Sequence, residues 1–71
     1  MIDYSTFTED ALQARLADLW LDHADLEASI QALSLAPLPD LTVIGRLKRK
    51  KLALKDEIVR IEDYLTPDII A

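Results

Sequence analysis

The chain has 71 residues and a mass of 8.0 kDa, room for a single small domain with a marginal core, because a chain this short buries only roughly 60% of its unfolded surface. The absence of cysteine excludes a disulfide framework and Cys-based zinc sites, a single histidine removes most other metal and acid–base arrangements, and a single glycine excludes P-loops and dinucleotide fingerprints. Apolar residues at 51% are too many for a disordered chain, charged residues at 30% are too many for a membrane span, and a net charge of −5 argues against a dedicated nucleic-acid binder.

The opening residues Met1-Ile2-Asp3-Tyr4 are acidic and lack an apolar signal core, so a cytoplasmic chain is the expectation. The first helix is expected over residues 8–35. Thr8 as N-cap places Glu9 and Asp10 in the first turn, where the helix dipole favours negative charge, and lets Phe7 and Leu12 form a hydrophobic staple. Thr6 with Glu9 as a capping box is a rival start. Ala36-Pro37-Leu38-Pro39-Asp40 is a turn, because proline lacks a donor and pushes its predecessor out of the α region. A second helix follows from Asp40 as N-cap, over residues 41–66, and stops before Pro67. Short apolar tails flank the pair.

Within these segments the apolar residues recur at alternating steps of four and three. Leu12, Leu16, Leu19, His23, Leu26, Ile30 and Leu33 form one seam; Ile44, Leu47, Lys51, Leu54, Ile58, Ile61 and Leu65 form the other. Each seam carries one polar interruption, His23 and Lys51, expected to act as register devices or snorkelling side chains within reach of Asp22 or Asp25. Folding the chain back between Leu38 and Pro39 pairs every layer in one register, from Leu33 with Ile44, through Leu26 with Lys51, His23 with Leu54 and Leu19 with Ile58, to Leu12 with Leu65. The same register brings Arg15 near Glu57, Asp22 near Lys50 and Glu27 near Lys48, each exposed pair worth about 0.5 kcal/mol. The predicted fold is therefore all-α, an antiparallel two-helix hairpin in a single domain, associating into a larger helical bundle.

The stretches His23-Ala24-Asp25-Leu26-Glu27 and Leu47-Lys48-Arg49-Lys50-Lys51-Leu52-Ala53-Leu54-Lys55-Asp56-Glu57-Ile58 resemble the YdcH-like family of small bacterial proteins. Its pattern is a histidine followed by Leu-Asp or Leu-Glu, then Leu-Lys-x-Lys-Lys-Leu-x-Leu-Lys-Asp-Glu-Ile, with Arg49 here at the variable position. The resemblance covers roughly residues 20 to 62 and implies a helical hairpin. The family has no assigned reaction, so the resemblance bears on the fold and leaves the function open. Neither tail matches a family pattern, and the turn is richer in proline here than a variable linker requires.

Three features are candidates for function. The basic residues Arg46, Lys48, Arg49 and Lys50 suggest an anion-binding surface, although the first helix carries one base against six acids over residues 8–35 and the second seven bases against five acids over residues 40–66. The basic run thus has an acidic helix of its own to neutralise, and little aromatic interleaving for stacking on single strands. The carboxylate neighbours Asp56-Glu57 and Glu62-Asp63 point in different directions on a helix and lack a base, a nucleophile and a pocket, which argues against an enzyme. The apolar residues outside the seam are the third feature. Trp20 and Leu21, with Ala17 and Ala24, widen the apolar face of the first helix, and Leu52 and Val59 widen that of the second. Tyr4 and Phe7 join Ile69, Ile70 and Tyr64 at the open end, either closing it or presenting a docking surface. The expected function is a non-enzymatic protein–protein interaction module, a homo-oligomer or a small accessory subunit, with no cofactor, no metal and no membrane span; nucleic-acid association through the basic run is the alternative.

Overall fold

A computed structural model describes residues 4–66. A short 3-10 turn, Tyr4–Thr6, precedes two helices, α1 (Glu9–Ser34) and α2 (Leu41–Leu65), which pack against each other along their lengths as an antiparallel hairpin. At ~1.5 Å per residue each helix is about 39 Å long, and the molecule measures 48 × 27 × 19 Å.

The helix ends follow from local chemistry. Thr8 is extended, and its hydroxyl accepts from the Ala11 N–H at 3.1 Å, so Thr8 rather than Thr6 caps α1. At the other end no residue turns left-handed: the Leu35 N–H reaches the Gln31 carbonyl and the Ala36 N–H the Leu33 carbonyl, and Pro37 forbids continuation. Asp40 then caps α2 with one carboxylate oxygen, which accepts from the N–H groups of Thr42 at 3.0 Å and Val43 at 3.2 Å. A last backbone bond from the Thr66 N–H to the Glu62 carbonyl closes α2 one residue before Pro67. The expected spans of 8–35 and 41–66 exceed the helices only by their caps.

The seam forms in the expected register, but unevenly. Leu12, Leu19, Ile58 and Ile61 are fully buried and form the core, with Leu16, Leu54, Leu65 and Tyr4 packed against it. Nearer the turn, Ile44 is buried, whereas Leu26, Ile30, Leu33 and Leu47 are only half-buried. The difference has a physical cause. The Tyr4–Thr6 turn folds Tyr4 over the open end, where its ring meets Tyr64 at 5.9 Å and Phe7 at 6.4 Å; the turn end has only the exposed Leu35, Leu38 and Leu41 to cover it. The Tyr4 hydroxyl finds no hydrogen-bond partner among the described residues, so its ring is what the fold uses.

Replacing Ile58, which has no exposed surface, with Ala should cost about 2–4 kcal/mol, enough to unfold most of a hairpin this small. Gly45→Ala should instead add about 1 kcal/mol, since a Cβ there meets nothing within 4 Å. Urea titrations followed by helical circular dichroism check both, and equal effects of the two variants would contradict this core.

Candidate interaction surface

A helix repeats its orientation every seven residues, so side chains flanking the seam fall into rows, and an antiparallel hairpin brings like rows of its two helices to the same side. One side collects Ala17, Trp20 and Ala24 from α1 with Leu52, Lys55 and Val59 from α2. The other collects Arg15, Asp18, Asp22 and Asp25 with Arg46, Lys50, Ala53, Glu57 and Arg60. The first side carries an apolar patch among the polar residues Gln13, Glu27, Lys48 and Glu62 of the same rows, and the other is mainly charged.

On the charged side Arg15 and Glu57 join the two helices. Arg15 donates from Nε to Glu57 Oε2 at 3.1 Å and from Nη2 to Oε1 at 3.2 Å, the bidentate geometry that makes an arginine–carboxylate pair directional. This is the pair that the register predicts. Asp22, Asp25, Lys50 and Glu57 rim a shallow groove floored by Leu26, Ala53 and Leu54. Asp22 and Lys50 share that groove, yet no ion pair joins them.

The seam polars find partners other than the expected ones. Lys51 turns its ammonium outwards to Glu27 at 3.6 Å, which replaces the expected Glu27–Lys48 pair, and His23 meets Trp20 edge-on with ring centroids 5.6 Å apart. Asp22 and Asp25 bond to neither, because both point to the opposite side. Lys55 completes a cluster that spacing along one helix does not reveal: its Nζ lies 4.5 Å from the centre of the Trp20 ring, reaching across from α2. Trp20 therefore covers part of the seam, with His23 at its edge and Lys55 on its face, and still leaves 39% of its surface exposed.

Around it lie the other candidates. Leu52 and Leu21 are each 64% exposed and Val59 41%, a surface that no other described element covers. Leu52 lines a groove with His23, Glu27, Lys48, Lys51 and Lys55, and Leu21 lies on the back of α1, between the apolar and the charged rows. Phe7 and Tyr64 are about half exposed, and Tyr4 is drawn into the core. Ile69 and Ile70 lie outside the described residues.

Of the basic residues Lys48 lies apart from the others. Lys48 lines the apolar-side groove beside Glu27, Lys50 lines the charged-side groove with Asp22, Asp25 and Glu57, and Arg49 Nε donates to the Gly45 carbonyl at 3.4 Å. Arg46, Arg49 and Lys50, three and four positions apart, are neighbours on one face of α2, where Asp22, Asp25 and Glu57 line the groove beside Lys50. Among the described residues no group of three or more His, Cys, Asp or Glu could hold a metal ion, and no helix is long and apolar enough to cross a membrane.

The architecture is that of a small helical-hairpin protein with one apolar and one charged side. Within that class the chain belongs to DUF465, described as a protein of unknown function, whose family model matches residues 16–62. The YdcH-like proteins that the sequence resembles are members of that family. No curated protein and no solved structure matches the chain. The matched residues contain nearly the whole hairpin, including Trp20, His23, Lys51 and Lys55.

Replacing Lys55 with Ala should leave the helices intact while removing a contact worth about 0.5–1 kcal/mol. Acrylamide quenching of the single tryptophan should become stronger in that variant. An unchanged quenching constant would mean that Lys55 does not sit on the indole.

Proposed function

We propose that this protein is a non-enzymatic protein–protein interaction module of the cytoplasm, acting as a homo-oligomer or as a small accessory subunit. The observation that carries this reading is the exposed apolar side around Trp20, Leu52 and Val59. Contiguous apolar surface left after folding marks association, and a tryptophan at its centre is the residue type most enriched where binding energy concentrates. The carboxylates support the same reading, since Glu57 is held by Arg15 and Asp56 beside it points elsewhere on the helix. The grooves are shallow surface features rather than enclosed cavities, with nothing to exclude water from a reacting group.

A photo-crosslinking amino acid at position 52, in the full chain inside cells, tests this reading. Irradiation should join the chain to protein, whether to a second copy or to a different polypeptide, and Val59→Asp should abolish the adduct. Adducts to nucleic acid alone would transfer the reading to the basic run, and no adduct at all would end the interaction proposal.

A further inference from the structure

From the side-chain sizes on the apolar side we infer that its occupant is a second copy of this chain, in a two-fold dimer that lays α1 of each copy against α2 of the other. The inference rests on the interaction reading above and names its partner.

Two observations carry it. The first is steric. The apolar row of α1 is made of small residues, Ala17 and Ala24, one heptad apart, and the corresponding row of α2 is made of large ones, Leu52 and Val59, also one heptad apart. Within one hairpin these rows lie side by side and cannot fill each other. Across a two-fold axis they face, and both large side chains enter the spaces over both alanines, because the spacing is the same on each helix. Gly45 continues the α2 row one heptad before Leu52. The missing side chain answers to nothing inside the hairpin, since a Cβ would meet no atom within 4 Å. In the dimer Gly45 comes level with Gln31, a long polar residue that continues the α1 row. Trp20 lies level with the middle of both rows, beside the axis.

The second observation is area. A compact monomer of 8.0 kDa exposes about 4,500 Å², whereas this chain exposes 5552 Å². Its radius of gyration of 15.4 Å likewise exceeds the ~11 Å of a compact chain of this length. A dimer that removed this excess of about 1,000 Å² from each copy would bury about 2,000 Å² in all, the size of a stable protein interface. Charge is mixed along the row on α2, where Asp56, Glu62 and Asp63 follow Lys48, Arg49 and Lys55; Glu27 of one copy comes level with Lys48 of the other.

Light scattering after size-exclusion chromatography of the full chain tests the inference, with circular dichroism on each sample to keep folding and assembly separate. The expected mass is twice 8.0 kDa. Ala24→Glu and Leu52→Lys should each give a helical chain of half that mass, while Ala53→Glu, on the charged side, should stay dimeric. A helical wild-type monomer throughout the micromolar range would overturn the inference, as would a mass above two copies or a dimer indifferent to Ala24→Glu and Leu52→Lys. If the chain is monomeric but the position 52 crosslinker captures a different polypeptide, only the second copy is excluded. If it is monomeric and captures no protein, both readings fall.

Discussion

Two helices share only one seam, and every other feature of this protein follows from that constraint. A helix in a bundle buries its apolar stripe against several neighbours; in a hairpin it has one. Here the shared seam fully buries Leu12, Leu19, Ile58 and Ile61, with Ile44 buried separately near the turn. Five buried side chains are a small core for a chain of this length. The hairpin therefore depends on its well-formed caps at Thr8 and Asp40 and on the bidentate Arg15–Glu57 pair that holds its register.

The two sides of the hairpin answer different needs. The charged side aligns α1 with α2 through the Arg15–Glu57 pair and keeps the surface hydrated. The apolar side has a partly built lid: His23 and Lys55 bracket the indole of Trp20, while Leu52 and Val59 beside it stay open. Lys55 suits an edge position, because its stem can lie along apolar surface while the ammonium remains in water. The small row on α1 and the large row on α2 give this side a shape that a copy of itself can fill.

Much of the fold was legible in the sequence because it is periodic. The alternating steps of four and three, two prolines in the turn and acids behind Thr8 determine two helices, their ends and their register, and Arg15 meets Glu57 as that register requires. What periodicity cannot supply is the geometry between elements that do not continue each other. Nothing local distinguishes Thr6 from Thr8 as the cap, or sends Glu27 to Lys51 in place of Lys48. The return of Tyr4 onto the core, and with it the tighter packing of the open end, depends on a 3-10 turn outside both seams. Of the interaction candidates, Trp20, Leu21, Leu52 and Val59 stay exposed as expected. The contact of Trp20 with Lys55 was hidden because it joins residues far apart in the chain.

The central claim is that one seam leaves this chain short of buried surface and that association supplies the rest. The most direct measurement is the thermal midpoint of the full-length chain as a function of its own concentration. Mass action stabilises any fold completed by a second copy, so the midpoint should rise steadily with concentration. A midpoint that stays constant across a hundredfold range would show that a single seam suffices, and would contradict the account.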